Sequence, residues 1–282
     1  MHHKKSRTLK FFFLICLFVF YPIFLYSYSW PIKPFSGPHP INAVFGEFRV
    51  PYGSISYHFH SGVDIKANNG TPVFSIISGI VDKKGTESIR VGRYKYVHII
   101  PKVNKGDTVQ ALTDTIGLIR DFGYPGPQGD HLHFMEGPSG GPYNNPLFGL
   151  DNYTDNATTS VWGSPDFMFF KQGTNIQLPQ NGPIWGKIDL LVREKDAQSN
   201  GSSNTGIYRT GYEVINLNNN ISFPYTELIK FDDIIGNVSL VYDETRSTNS
   251  TYYYWVTNAK DEDRYWNTKL KKVSPGMEIL LV

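Results

Sequence analysis

A single cysteine, Cys16, is all that the 282-residue chain contains. It lies in an apolar N-terminal stretch, so the rest of the chain has no thiol. That excludes a disulfide framework and any thiolate-ligated metal site there, leaving nitrogen and oxygen as donors. Histidine is absent from residue 134 onward, which confines imidazole chemistry to the first half. Excess positive charge is missing as well, once its position is considered. The formal charge is +2, but residues 1–29 carry four of the 27 basic side chains and none of the 25 acidic ones. Residues 30–282 hold 23 basic against 25 acidic residues, a balance of −2, and offer no footprint for nucleic acid.

The N-terminus is a separate object. Lys4, Lys5, Arg7 and Lys10 form a positive cap, residues 11–26 are almost wholly apolar, and Ser27-Tyr28-Ser29 closes the stretch as small-x-small. This succession predicts a signal peptide over residues 1–29, cleaved before Trp30. The apolar run is interrupted by Pro22 and is short for a membrane span, which needs about 20 residues. Ile15 before Cys16 spoils a lipidation signal. The expectation is an exported chain with no membrane span after cleavage, placed in the periplasm, the cell envelope or outside the cell.

What the sequence has in quantity is turn and strand formers. Its 26 glycines, 18 prolines, 18 tyrosines and 19 phenylalanines favour many short strands over long helices, so the predicted fold class is mainly β. Residues 36–150 hold the histidines and the tightest turn punctuation. Residues 151–182 are polar and irregular and read as a linker or a wrapping segment. Over residues 183–282 alternation returns: Ile188, Leu190 and Val192 face one way, and Tyr208, Thr210, Tyr212 and Val214 repeat the pattern, as do Tyr252, Tyr254 and Val256. Several such runs between Asn/Ser/Gly clusters predict an Ig-like β-sandwich module. Trp185, Trp255 and Trp266 in this part read as core packing, with glycan binding as the alternative.

Six histidines remain after residue 29: His39, His58, His60, His98, His131 and His133. Two clusters stand out among them. In His60-Ser61-Gly62-Val63-Asp64 an imidazole and a carboxylate lie four apart, and Gly62 favours a turn entering a strand over a helix. In His131-Leu132-His133 the two imidazoles share one face of a strand while Leu132 turns to the other. Two histidines and one carboxylate with an open position make a catalytic zinc site. His58, two residues before His60, is the rival ligand and otherwise a groove-wall or solvated residue. His39, between prolines, reads as a loop residue.

Over residues 41–147 the chain resembles the lysostaphin/LytM-type zinc metallopeptidases, which are peptidoglycan endopeptidases. The resemblance is carried in order by Phe45-Gly46-Glu47-Phe48-Arg49, His60-Ser61-Gly62-Val63-Asp64-Ile65, Gly70-Thr71-Pro72-Val73, Ser78-Gly79-Ile80-Val81 and Tyr96-Val97-His98-Ile99. Gly106-Asp107-Thr108-Val109, His131-Leu132-His133-Phe134 and Asn145-Pro146-Leu147 complete it. The resemblance implies an antiparallel β-sheet peptidase domain over residues 36–150 with a groove across the metal. It implies one Zn2+ per chain held by His60, Asp64 and His133, with His131 and His98 catalytic rather than ligating, and a peptidoglycan peptide as substrate. Two features depart from the pattern: the stretch from Val81 to His98 is short, and Met135 stands between Phe134 and the acidic Glu136. Tyr94 and Tyr96 read either as further donors beside His98 or as aromatic packing.

Two other readings are weighed. A zinc carboxypeptidase of the D-Ala kind uses a longer His-to-Asp interval and a Glu-x-x-His, and neither occurs. The glutamate base of a His-Glu-x-x-His site is absent too. The alternative from another class is a non-catalytic LytM-type wall-binding protein or amidase regulator, in which ligand positions are lost; here all are filled. The pattern sets no oligomeric state.

Overall fold

The computed structural model describes residues 27–121, 123, 129–161, 167–179, 188–202, 204–216, 221–234, 237–257 and 277–281. Short strands make up nearly all of its regular structure. The histidine-bearing half contains β1 (Ile41–Ala43), β2 (Phe48–Arg49), β3 (His58–Phe59), β4 (Val63–Lys66), β5 (Pro72–Phe74), β6 (Gly79–Lys84) and β7 (Ser88–Val91). It continues with β8 (Tyr94–Val97), β9 (Ile99–Pro101), β10 (Thr108–Val109), β11 (Thr115–Ile119), β12 (His131–Glu136) and β13 (Tyr143–Asn144). The second half adds β14 (Ser160–Val161), β15 (Phe167–Lys171), β16 (Gln177–Leu178), β17 (Ile188–Lys195) and β18 (Arg209–Asn216). After these come β19 (Ile221–Lys230), β20 (Asp233–Ile234), β21 (Tyr253–Thr257) and β22 (Met277–Leu281).

The main antiparallel sheet has nine strands in the order β1-β4-β12-β8-β7-β6-β10, extended by β13 on β12 and β20 on β13. Side-chain alternation explains why it holds together. Val63 and Ile65 of β4, Leu132 and Phe134 of β12, Tyr96 of β8 and Ile89 and Val91 of β7 are fully buried. They line one face, and each contributes roughly 1.5–3 kcal/mol by leaving water. The residues between them, including Asp64, His131, His133 and Lys95, turn to the opposite face. A second antiparallel sheet is formed by β5, β11 and β9.

In the C-terminal half β17 is central to a five-stranded sheet and is buried on both faces. Ile188, Leu190 and Val192 join the main core, whereas Leu191 packs with Met168 and Phe170 in a small second cluster. Strands β18, β19 and β22 form a further three-stranded sheet. These sheets do not by themselves establish the Ig-like sandwich expected for residues 183–282. Strands β14 to β16 arise within the span read as a linker or wrapping segment, where Phe167 to Lys171 pair in register with Val192 to Ile188. Trp185, Trp266 and the leader up to residue 26 lie outside the described residues. Trp255 packs edge-on against Phe170, with ring centroids 5.4 Å apart.

One apolar cluster runs from Trp30 to Val256 and so joins the two halves. Its joint is the β2–β3 hairpin, where Phe48 lies 5.4 Å from the Tyr242 ring and Phe59 6.0 Å from the Phe231 ring. The Tyr242 hydroxyl donates to the Gly46 carbonyl at 2.9 Å. Gly46 sits at φ +87°, and a Cβ there would come within 2.5 Å of the Phe231 ring, so only glycine fits. At the other end, the Tyr28 N–H donates to the Gly149 carbonyl at 2.6 Å and Trp30 is fully buried. The cut expected before Trp30 therefore falls within packed chain.

Because the joint is shared, the halves should unfold together. Tyr242→Ala is expected to destabilise the protein by about 3–5 kcal/mol, the range for deleting a large buried ring. It should lower the midpoint of a single transition followed by circular dichroism. Two separated transitions in the parent protein would show that the halves are independent.

Candidate metal centre

The ladder between β4 and β12 sets the site. His133 is directly opposite Asp64 and His131 is opposite Lys66, so both imidazoles and the carboxylate emerge on one face of the sheet. His60 reaches the same point from the turn before β4. A Cβ at Gly62 would lie 2.4 Å from the Phe134 carbonyl oxygen and 3.0 Å from His133 Cε1, so glycine is required for this turn to close over β12. Backbone bonds pin it further: the His60 N–H donates to the Glu47 carbonyl at 2.7 Å, and the Gly46 N–H donates to the His60 carbonyl at 2.9 Å.

Three donor atoms converge as a result. His60 Nε2 lies 3.1 Å from Asp64 Oδ1 and 2.9 Å from His133 Nδ1, and His133 Nδ1 lies 2.9 Å from Asp64 Oδ1. Bonds of about 2.0–2.1 Å in a tetrahedral zinc site put ligand atoms roughly 3.3 Å apart, so the triangle is close to the size that such an ion needs. Among the described residues, His60, Asp64 and His133 form the group able to hold a metal ion. His60 Nδ1 sits 2.7 Å from the Val44 carbonyl oxygen. A carbonyl accepts only from a protonated nitrogen, which leaves His60 Nε2 as a lone-pair donor toward the site.

Electrostatics agree with this geometry. Burial pushes His133 down to about 4, against the hydrogen bond it makes to Asp64, so its imidazole is neutral at physiological pH. Burial alone would raise Asp64, but the neighbouring His60 and His131 and the hydrogen bond from His133 hold its carboxyl well below the usual range. A deprotonated carboxylate and neutral imidazoles are the states in which these groups bind metal. Asp64 Oδ2 also faces Arg49, whose Nη2 is 3.8 Å away while Nη1 donates to Glu47 at 2.7 Å.

His131 and His98 stand beside the triad. His131 Nδ1 is 2.8 Å from the Gly129 carbonyl oxygen, and its Nε2 is 3.7 Å from Asp64 Oδ1. The His98 ring is 5.0 Å from that of His131 and 5.8 Å from that of His133. His98 has φ +67°, an unusual conformation for a residue with a Cβ. This left-handed residue breaks the alternation after β8. Tyr94 and Tyr96 consequently face the core, the latter accepting from the Ile76 N–H at 2.9 Å, while His98 turns to the metal side. Of the two readings of these tyrosines, packing is the observed one. Burial, followed by the proximity of His133 and His131, lowers His98 to about 3.

His58 does not join the cluster: its Nδ1 is 2.8 Å from the Ser56 carbonyl oxygen. His39 is in a loop, as expected, but buried, with its ring 5.0 Å from that of Trp30. The residues whose role sequence reasoning missed are Glu47 and Arg49. Their i, i+2 spacing on an extended segment was the available signal.

No protein-family profile and no curated protein matches the chain. Solved structures do. The chain is similar to the catalytic domain of lysostaphin, an antimicrobial peptidase from Staphylococcus simulans, at 27% identity over 39% of this chain and 90% of that one, with a TM-score of 0.31. It is similar to LytU at 25% identity over 41% of this chain and 86% of that one, with a TM-score of 0.30. A zinc-containing peptidase from Vibrio cholerae matches at 26% identity over 39% of this chain and 36% of that one, with a TM-score of 0.29.

The depressed imidazoles give a pH signature in the metal-free protein. In the unfolded chain His98 and His133 take up protons near pH 6.5, but in the fold only near 3 and 4. The unfolded state therefore binds more protons between these limits, and stability falls as pH drops through that window. Burial raises Glu194 to about 7, which opposes this between about 4.5 and 7, so it is in a Glu194→Gln protein held in chelator that thermal midpoints are expected to be flat above about pH 7 and to decline below 6.5. A midpoint that rises on acidification from 6.5 to 4.5 would contradict this.

Proposed function

We propose that this chain is a zinc-dependent endopeptidase that hydrolyses peptide bonds in peptidoglycan stem peptides or cross-bridges. The observation that carries the reading is the convergence of His60 Nε2, Asp64 Oδ1 and His133 Nδ1 within 2.9–3.1 Å of one another, with two further imidazoles beside them. Three protein ligands and an open side are the pattern of a catalytic rather than a structural zinc site. When bound, the zinc ion supplies Lewis acidity toward the scissile carbonyl and an acidified attacking water.

The rest falls to the chain's own groups. Arg49 orients Asp64 from the side away from the imidazoles, and the Val44 carbonyl fixes the tautomer of His60. His131, tied through Nδ1 to Gly129, presents Nε2 to the open side. His98, held neutral by burial, faces the same space. We assign to these two the general acid–base work: one accepts the proton of the attacking water, and the other stabilises the developing oxyanion or returns a proton to the leaving amine. With no glutamate base in the site, the imidazole pair takes that role. A wall-binding regulator would need neither neutral ligands nor the paired imidazoles, so the full set supports the enzyme.

The substrate assignment rests on the resemblance over residues 41–147, and it agrees with the export signal read at residues 1–29. No helix among the described residues is long and apolar enough to cross a membrane.

Histidine variants separate ligands from acid–base groups. His133→Ala is expected to be metal-poor and inactive. His131→Ala and His98→Ala should retain zinc while losing about 10²–10⁴-fold in rate, the range for acid–base groups. His58→Ala should keep both. Metal content and hydrolysis of purified peptidoglycan decide the matter, after circular dichroism confirms folding. If His131→Ala loses zinc while His133→Ala keeps it, the roles must be exchanged.

A further inference from the structure

The face of the main sheet that bears the metal site carries a second feature, one pleat away. Residues paired across an antiparallel ladder share a face. His133 pairs with Val97 and Val97 with Ser88. Two residues further along β12, Met135 pairs with Lys95, Lys95 with Arg90, and Arg90 with Lys83. Three cations thus stand side by side on consecutive strands, on the face of His131 and His133. With strands about 4.8 Å apart the row spans roughly 10 Å, and it starts about 7 Å along the sheet from His133.

Like charges directly opposite one another destabilise a sheet. Among the described residues no ion pair involves Lys83, Arg90 or Lys95. The nearest acid on β12, Glu136, belongs to the opposite face and is paired with Arg93 at 3.0 Å. Arg90 is buried, and its Nη1 donates to the Gly137 carbonyl at 2.6 Å, which fixes the guanidinium in place. Lys95 is half-buried between this guanidinium and Met135, and Met135 in turn lies under Ser61 at 3.9 Å. Burial, then the charges of Arg90 and Lys83, lower the Lys95 ammonium from its ordinary value. Asp82, in the bulge beside Lys83, accepts from the Gly92 N–H, so the chain keeps three neighbouring cations beside the candidate metal site with no ion pair of their own.

We propose that this row is an anion subsite for the substrate, taking a free carboxylate of the peptide within two residues of the scissile bond. Each residue of an extended peptide advances about 3.3–3.6 Å, so two residues cover the separation between the metal site and the row. Lys95, nearest to His133, makes the contact. Arg90 holds the field in place and Lys83 extends it toward the sheet edge. The peptidase then prefers a stem peptide with a free carboxylate to one in which the same group is a carboxamide. This rests on the peptidase reading above and narrows its substrate class.

Two soluble stem peptides, identical except for carboxylate or carboxamide within two residues of the scissile bond, test it with the zinc-loaded full chain. The parent protein is expected to show kcat/KM about tenfold higher for the carboxylate, the order of one charge-assisted contact. That ratio should collapse toward one in Lys95→Met and fall in Lys83→Met, and added salt should erode it in the parent. Lys171→Met, on another sheet, should keep the parent ratio. No preference in the parent, or an unchanged ratio in Lys95→Met, overturns the proposal. If neither peptide is cut, the peptidase reading fails, and calorimetric binding of the same two peptides still decides the subsite. Tighter binding of the carboxylate form, lost in Lys95→Met, supports it; equal binding of both forms overturns it.

Discussion

The cross-strand pair of Asp64 and His133 is the constraint on which the rest of the site depends. A carboxylate this deep in a sheet is costly unless every lone pair is engaged. Here Oδ1 is shared between His60 and His133, and Oδ2 faces Arg49. Arg49 is compensated by Glu47, and Glu47 Oε1 accepts from the backbone N–H groups of Val44 and Gly206 at 2.9 and 3.0 Å. With imidazoles in the neutral form that binds metal, the carboxylates of Asp64 and Glu47 and the guanidinium of Arg49 sum to one net negative charge. A divalent cation held there would turn that into one net positive charge, the sign that the proposed hydrolysis needs for an attacking hydroxide and an oxyanion.

Gly206 belongs to the second half of the chain, so this network explains why that half cannot be regarded as an appendage to the site. The hairpin carrying Glu47 and Arg49 at one end and His58 at the other is seated on Phe231 and Tyr242. The Gly46 carbonyl is held by the Tyr242 hydroxyl. The Tyr254 ring packs 4.7 Å from that of Tyr242, and its hydroxyl accepts from the Ile207 N–H at 3.1 Å. Packing in one half thus fixes the angle at which His60 meets β4 in the other. The second half contributes no imidazole, but it contributes the wall against which the His60 imidazole is placed.

Much of this was legible in the sequence, and the boundary of legibility has a physical cause. His131-Leu132-His133 needed only the period of a strand, and Gly62 correctly marked a turn before Asp64. Those are local rules. His98 obeyed no local rule: its left-handed backbone reverses the face it presents, which is why Tyr94 and Tyr96 read as possible site residues and are core instead. Glu47 and Arg49 were visible as part of a pattern but not as a clamp on Asp64, because the contact spans 15 residues and a turn. The burial of His39 against Trp30 and the packing of Tyr28 beside Gly149 were hidden for the same reason. Alternation in Ile188, Leu190 and Val192 was correct, yet β17 is buried on both faces, which alternation alone does not reveal.

Zinc-edge X-ray absorption on the metal-loaded full chain tests the central claim most directly. The account predicts a coordination sphere of four nitrogen and oxygen atoms at about 2.0–2.1 Å, with the multiple-scattering signature of two imidazoles and no sulfur. In Asp64→Asn the oxygen contribution should weaken while both imidazoles remain. A coordination sphere containing sulfur at about 2.3 Å, or six oxygens without imidazole scattering, would contradict the ligand set of His60, Asp64 and His133.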